Sequence, residues 1–330
     1  MGTTDFDKLF DQFAETKIGV IGDVMLDTYW WGHVERISPE APVPVVSLDK
    51  KEYRIGGAGN VALNLVSLGA QTQIISVIGM DDDGQTLRKL LDNKGIGTGY
   101  LLSTKERITT NKARIISRNQ QMMRLDSENT HDLSGSDEEN LIRAFESYLA
   151  REMPSVVIFE DYNKGVLTSR VIRECIDCCK KRKVATAVDP KKKNFFSYQQ
   201  VDIFKPNLKE VREGLNLPVE HVTTESLEKV HHQLQSRIHH EISFITLSDK
   251  GVFFQNNSAG EIIPSHFRNI TDVSGAGDTV IAVASLIYAC TGNVSLMAAV
   301  ANIAGGLVCE EVGTVAIDKH RLLKECKTLL

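Results

Sequence analysis

The chain has 330 residues, 42% of them hydrophobic and 25% charged, with 38 basic against 43 acidic side chains and a formal net charge of −5. That apolar content excludes wholesale disorder, the mildly acidic balance argues against nucleic acid as a partner, and no apolar run is long enough to cross a bilayer. Six cysteines without scaffold-like spacing, and an acidic start (Asp5-Phe6-Asp7-Lys8) without a signal-peptide layout, point to a cytoplasmic protein with reduced thiols.

Phe6, Leu9, Phe10 and Phe13 recur at helical spacing and predict an amphipathic opening helix. Lys17–Gly22 (KIGVIG) is short, apolar and β-branched and stops at glycine, the pattern of a buried parallel strand. Over 34–54, Pro39, Pro42 and Pro44 exclude a helix, while Val43, Val45, Val46 and Leu48 favour a small, partly exposed sheet. Residues 56–69 (GGAGNVALNLVSLG) read as a glycine-rich turn, a helix and a glycine stop. A strand over 74–78, a helix over 85–94 and a second extended region over 109–125 follow. After Asp126, strands over 156–159, 185–188, 203–205 and 244–247 alternate with helical stretches. This predicts an α/β fold, a mostly parallel central sheet with helices on both faces. The two extended regions interrupt the pattern as insertions. A single domain over 1–330 is therefore expected, with a small β-sheet lid from about 34–55 and 100–126. Cys175, Cys178 and Cys179 lack zinc-site partners and read as ordinary thiols of a helix. His231-His232 and His239-His240 sit among polar neighbours and read as a solvated helix face.

The segment richest in chemistry is Thr271-Asp272-Val273-Ser274-Gly275-Ala276-Gly277-Asp278-Thr279, followed by an apolar, helix-forming run. Gly275-Ala276-Gly277 opens that helix. Small residues there let backbone N–H groups converge on one point, where the helix N-terminus adds partial positive charge and makes an anion hole. Asp278, in the first turn, stands where it can take a proton from a hydroxyl attacking a phosphate held in that hole. The plainer alternative is a helix start with a favourable acidic residue. Asp27 follows the first strand, at the end where open α/β sheets bind ligands, with Asp23 as a helper. Gly57 permits close backbone approach and Asn60 offers hydrogen bonds.

Asp272-x-x-Gly275-Ala276-Gly277-Asp278 resembles the C-terminal signature of the ribokinase (PfkB) family of carbohydrate kinases. Gly56-Gly57-x-x-Asn60 resembles its N-terminal glycine motif, Pro206-Asn207-x-x-Glu210 its Asn-x-x-Glu element, and Thr246-Leu247-Ser248-Asp249-Lys250-Gly251 its nucleotide-loop strand. These landmarks stand in the family's order and cover nearly the whole chain. Gly22-Asp23-Val24-Met25-Leu26-Asp27-x-Tyr29-Trp30, Ser38-Pro39-Glu40-Ala41-Pro42-Val43-Pro44, Ser117-Arg118-Asn119-Gln120-Gln121, Asp161-Tyr162-x-Lys164-Gly165 and Val188-Asp189-Pro190-Lys191 are similar to its heptose-7-phosphate kinase branch. Two departures from ribokinase itself, a glycine motif one residue shorter and Ser248 in place of glycine, fit that branch.

The resemblance implies a ribokinase-like three-layer fold and an ATP-dependent sugar kinase. By that resemblance it phosphorylates the anomeric hydroxyl of D-glycero-D-manno-heptose 7-phosphate to the 1,7-bisphosphate, a step toward ADP-heptose and lipopolysaccharide. Asp278 is then the base, and Gly275, Ala276 and Gly277 stabilise the moving phosphoryl group. Asp23, Asp27, Gly56, Gly57 and Asn60 bind the sugar. Arg118, Arg124, Lys164 and Lys191 are candidates for its distal phosphate, since Arg grips phosphate with two parallel bonds and Lys supplies a point charge. Asn207 and Glu210 organise water around Mg2+ and the ATP phosphates, or simply cap a helix. Ser248, Gly251, Asn302 and Gly313-Thr314 line the nucleotide, and Asp272 helps hold a monovalent cation such as K+. Sugar phosphate and ATP are the expected small-molecule partners, with neither nucleic acid nor membrane among them, in a homodimer formed through paired lids. The sequence contains no His-x-Gly-His motif and leaves no room for a nucleotidyltransferase domain. A kinase alone, or the kinase half of something longer, is expected, with a separate adenylyltransferase acting downstream. The alternatives are a fructose- or ribose-type kinase of the same family and a non-catalytic sugar or nucleotide sensor.

Overall fold

The structure, a computed structural model, describes residues 4–118, 120–217 and 221–330. Helix α1 (Phe6–Gln12), capped by the Asp5 carboxylate, leads into strand β1 (Lys17–Gly22). The chain then makes two long strands, β2 (Val24–Ile37) and β3 (Pro44–Gly57), and continues through α2 (Ala58–Leu68), β4 (Gln71–Gly79), α3 (Asp82–Asn93) and β5 (Gly97–Thr104). A second excursion forms β6 (Asn111–Ser117) and β7 (Gln120–Ser127). There follow α4 (Gly135–Glu152), β8 (Val156–Glu160), α5 (Ser169–Arg182), β9 (Ala185–Asp189), β10 (Ile203–Phe204), α6 (Leu208–Leu215), α7 (Thr224–Ile238) and β11 (Ile242–Thr246). The hairpin β12 (Val252–Gln255) and β13 (Glu261–Ile263) precedes α8 (Ala276–Thr291), α9 (Val294–Val308) and α10 (Lys319–Leu329).

The large sheet has nine strands in the order β13-β12-β11-β10-β9-β8-β1-β4-β5, parallel from β11 to β5 and finished by the antiparallel hairpin. Its strands are apolar on both faces because helices cover both. In β8, Val156 and Ile158 join the core beneath α2, α8 and α9, while Val157 and Phe159 join the core beneath α4, α5 and α7. Each such side chain contributes roughly 1.5–3 kcal/mol when fully buried. The small sheet has the order β3-β2-β6-β7, with β2 and β6 parallel and its outer pairs antiparallel. Register aligns Asp27, Lys112 and Asp126 across one face, followed on that face by Tyr29, Arg114 and Arg124. The opposite face carries the row Trp30, Ile115, Met123.

The strand boundaries shift the two expected insertions. Residues 100–104 belong to the large sheet, because β5 pairs in parallel with β4 and Leu101 is buried in the main core. The first insertion begins earlier, since β2 starts at Val24, directly after Asp23. The histidine pairs also depart from expectation. His231 and His240 are each only 1% exposed, and both bond Ser243 Oγ, at 2.9 and 2.6 Å. His231 lies on the apolar stripe of α7 with Leu227, Val230 and Leu234, so packing on the sheet buries it, and β11 supplies the hydroxyl it needs. Burial pushes these imidazoles down, to about 4 for His231 and about 3 for His240. Cys175 and Cys179 are buried thiols, and the described residues hold no cluster of His, Cys, Asp or Glu suited to a metal ion. Among them, no helix is long and apolar enough to cross a membrane.

Candidate active site

At the C-terminal ends of the parallel strands, register places Gly22, Glu160 and Asp189 side by side, with Lys205 next in the row. Their side chains share the face covered by α8, since Ile158, Ala187 and Ile203, two residues earlier in each strand, pack in the α8 core. Asp189 lies 2.8 Å from Lys205 Nζ and 3.2 Å from Lys191 Nζ, and Lys191 in turn lies 2.7 Å from Glu210. Burial pushes the Asp189 carboxyl up, but the two ammonium groups outweigh it and leave it below the ordinary carboxylate range. Glu160 is fully buried, and neither of its carboxylate oxygens has a hydrogen-bond partner. Burial, reinforced by the charges of Asp189 and Asp278, pushes it well above the usual range, toward its neutral form.

Helix α8 begins over this row. Gly275 caps it at φ 79°, and a Cβ there would come within 3.0 Å of the Asn60 amide and the Thr314 methyl. Only glycine allows both the left-handed backbone and that approach. Asp278, in the first turn, is 6% exposed. Its carboxylate accepts from Asn60 Nδ2 at 2.7 Å and from the Tyr162 hydroxyl at 2.8 Å. Burial pushes its pKa up to about 6, against the pull of those two donors. Beneath the helix start, a Cβ on Gly277 would stand 3.9 Å from Lys205 Nζ, so a buried ammonium underlies the N-terminus of α8. Asn60 Oδ1 is buried without a partner.

The remaining sequence-derived residues divide. Asp27 faces the cleft from β2, with Oδ1 2.5 Å from Arg114. A Cβ on Gly56 would meet its other oxygen at 2.4 Å, which is why glycine stands there. Gly57 caps α2, one turn ahead of Asn60. Asp23, expected to help bind sugar, accepts instead from the backbone N–H groups of Tyr162, Lys164 and Val166 at 2.9–3.0 Å. Its carboxylate is spent shaping the 162–166 loop. Among the expected phosphate cations, Lys164 lies at the cleft, 2.7 Å from Glu128. Arg118 sits exposed at the β6–β7 turn, roughly 20 Å along the strand from Lys112 at about 3.3 Å per residue. Its neighbour Asn119 lies outside the described residues. Arg124 grips Asp126 with two bonds at 2.8 and 2.9 Å. Lys191, expected at the sugar, belongs to the Asp189–Glu210 cluster, because the loop after β9 turns toward α6.

At the opposite end, Asn207 and Glu210 form a reciprocal capping box on α6, with both bonds at 2.8 Å. Ser248 is exposed in a short turn at φ 61°, followed by Gly251 at φ 92°. Asn302 donates to the Pro264 carbonyl at 2.9 Å. Asp272 accepts from the Ser274 and Gly313 amides, both at 2.9 Å, and so staples together the two loops that carry Gly275 and Thr314. Sequence reasoning assigned no role to Glu160, Lys205, Lys112 or Arg114, and quoted Tyr162 without giving it one. The only linear signal for Lys205 was a charge ending an apolar strand.

Residues 15–320 match the profile of the pfkB family of carbohydrate kinases. The chain belongs to that family. The kinase is 36% identical over 326 residues to the bifunctional protein HldE of Geotalea uraniireducens and 37% identical over 324 residues to that of Syntrophotalea carbinolica. Each match covers 98% of this chain but only 66% and 65% of the relative's length. Among solved structures, the kinase resembles Escherichia coli phosphofructokinase-2 in complex with potassium (TM-score 0.78, 16% identity) and Arabidopsis thaliana ribokinase complexed with ribose and ATP (TM-score 0.72, 17% identity). Both matches cover 94% of this chain and 99% of the other. The fold is therefore ribokinase-like, and the residues gathered around Asp278 stand at the strand ends where such sheets bind ligands.

Proposed function

We propose that this kinase transfers the γ-phosphoryl group of ATP to the anomeric hydroxyl of D-glycero-D-manno-heptose 7-phosphate, forming the 1,7-bisphosphate. The observation that carries the chemistry is Asp278, a buried carboxylate beside an amide-lined helix start and oriented by Asn60 and Tyr162. Asp278 takes the hydroxyl proton as the sugar oxygen bonds to the γ-phosphorus; the bond to the bridging oxygen breaks and ADP leaves. The amides of 275–277, with Lys205 beneath, offset charge on the moving group. The sugar is assigned from the heptose-branch segments around Asp27, Ser38, Asp161 and Asp189, and from the match to bifunctional HldE proteins. Asp27 and Asn60 bind its hydroxyls. Ser248, Gly251, Asn302 and Thr314 flank the nucleotide.

Magnesium usually keeps several waters and binds nucleotide phosphates directly. The donor set here fits that habit. Glu210 and Asp189 are already engaged by lysines, and the described residues form no ready-made metal cage. Mg2+ would enter on the ATP phosphates, with Glu210 and Asn207 as outer partners through water, and would supply charge neutralisation at the phosphates. A potassium ion near Asp272 is the corresponding reading for a monovalent cation. The small sheet acts as a lid that excludes water from the sugar. Its outer face, with Met123 56% and Leu125 45% exposed, is proposed to pair two copies into a homodimer in the cytoplasm. A separate adenylyltransferase would consume the new anomeric phosphate.

The test is ATP consumption across phosphorylated and free sugars, with product mass read out. Turnover highest on the heptose 7-phosphate supports the reading. Preference for fructose or ribose substrates moves the kinase to another branch, and nucleotide binding without turnover on any sugar makes it a sensor.

A further inference from the structure

The cleft face of the small sheet holds an unbalanced set of charges. Around Asp27 stand the cations Arg54, Lys112, Arg114, Arg124 and Lys164 and the carboxylates Asp27, Glu52, Asp126 and Glu128, with Glu52 paired to Arg54 at 2.7 Å. Every carboxylate is taken. Asp27 pairs with Arg114 at 2.5 Å, Asp126 with Arg124 at 2.8 Å, and Glu128 with Lys164 at 2.7 Å. Lys112 is left over. It is partly buried, flanked in register by Asp27 and Asp126, and forms no ion pair or side-chain hydrogen bond among the described residues. After burial, the charge that most disfavours its ammonium form is that of Lys164. Lys112 stands opposite Asp126 in register, and Lys164 bonds Glu128 two residues further on, so both ammonium groups gather at this end of β7; Glu128 and Asp27 favour the Lys112 charge without pairing with it. A partly desolvated like-charge pair is unfavourable alone and becomes favourable around an anion.

Resting on the sugar-phosphate reading above, we propose that Lys112 and Lys164 together receive the phosphate at the far end of the sugar substrate, with Lys112 the residue that makes the kinase prefer a phosphorylated sugar. Asp27 and Lys112 are cross-strand neighbours on the same sheet face, so a sugar whose hydroxyls meet Asp27 would bring a distal phosphate within reach of the lysines. Arg118 is too distant for this task, Arg124 is gripped by both oxygens of Asp126, and Lys191 is held between two carboxylates under α8, whereas among the described residues the Lys164 ammonium has the single partner Glu128 and Lys112 has none.

The experiment is steady-state kinetics of wild type, Lys112→Met and Lys112→Arg on heptose 7-phosphate, its unphosphorylated heptose and a second sugar phosphate, with inorganic phosphate as a competing anion. Lys112→Met keeps the aliphatic stem and removes the charge. The ratio of kcat/KM on phosphorylated to free sugar should fall roughly tenfold or more, as expected for a lost charge-assisted contact, chiefly through KM. Inhibition by inorganic phosphate should weaken in parallel, and Lys112→Arg should restore much of the ratio. KM for ATP and the melting temperature report folding. An unchanged ratio in Lys112→Met overturns the proposal, as does an equal loss on both forms of the sugar. A wild type that prefers another sugar phosphate, with the same dependence on Lys112, overturns the heptose assignment but supports this site. A wild type that prefers free sugars overturns both.

Discussion

The strand-end row under α8 and the cleft face of the small sheet solve the same problem of gathering charge in opposite ways. Under α8 Asp189 and Lys205 are buried and Lys191 and Glu210 partly so, and the four pair with one another across β9, β10 and α6. On the small sheet the pairs are more exposed, β7 is exposed along its length, and Lys112 remains unmatched. The sheet with a core on both faces can hold a base and an anion hole at fixed positions. The sheet without one can move with its ligand and relies on that ligand to complete its electrostatics. Asp278→Asn should show the difference most strongly. Turnover should fall by about 10²–10⁴ while ATP still binds, measured by kcat and nucleotide titration. Burial holds Asp278 at about 6, so at pH 8 its ionised form carries an unfavourable energy on the order of 2–3 kcal/mol. The asparagine variant should therefore resist urea better than the parent at that pH, and a less stable variant would contradict this account of the buried charge.

The pH profile sharpens the same contrast. As the proposed base, Asp278 must be ionised to accept a proton, so kcat/KM should rise with pH through about 6 and level off above it, dropping toward tenfold per unit on the acid side. The stability contribution runs the other way. A carboxyl whose pKa is raised on folding stabilises the native state below the ordinary carboxylate range and loses that contribution as pH rises through about 6. Removing the ammonium in Lys112→Met should leave the acid limb of kcat/KM where it is, because that lysine lies on the other sheet.

A charge on the outer face of the small sheet tests the mobile side alone. If two copies pair through this face as proposed, Met123→Glu should bring the mass by light scattering to that of a monomer and raise KM for the sugar several-fold, with the kcat/KM limb still near 6. Unchanged mass would show that the apolar row Trp30, Ile115, Met123 is not what joins two copies.

What could be read in the sequence follows from how local each feature is. The helix start at 275–278, the capping pair Asn207 and Glu210 and the buried strand 17–22 are spacings within a few residues, and each stands in the structure as read. The row Glu160–Asp189–Lys205 is a matter of strand order, and no linear spacing reports which strands become neighbours. Lys191 was misplaced for the same reason, since its partner Glu210 reaches it through the packing of α6 against the loop after β9. Asp23 misled because a carboxylate after a strand looks the same whether it meets a ligand or three backbone amides. Polar neighbours in sequence likewise hid that His231 lies on the buried stripe of α7.

That histidine pair supplies the smallest effect and a control on the opposite face of the large sheet from α8. His231 and His240 are held neutral by burial, at about 4 and about 3, whereas unfolded imidazoles titrate near 6.5. Between those limits the unfolded chain binds more protons, so stability falls as pH drops below about 6.5, by about 1.4 kcal/mol per unit for each histidine. Buried carboxyls such as Asp278 and Glu160 act in the opposite direction, so the total slope mixes both. The difference between parent and His240→Asn isolates the imidazole. Urea midpoints from pH 7 to 5 should fall less steeply in the variant, while the acid limb of kcat/KM stays near 6. Parallel midpoint curves would show that His240 takes up no more protons on unfolding than an ordinary surface residue. A displaced kinetic limb would show that the α7 side of the large sheet communicates with Asp278 through β10, where Phe204 pairs with Ser243 and precedes Lys205, and the two faces would then be one mechanical unit.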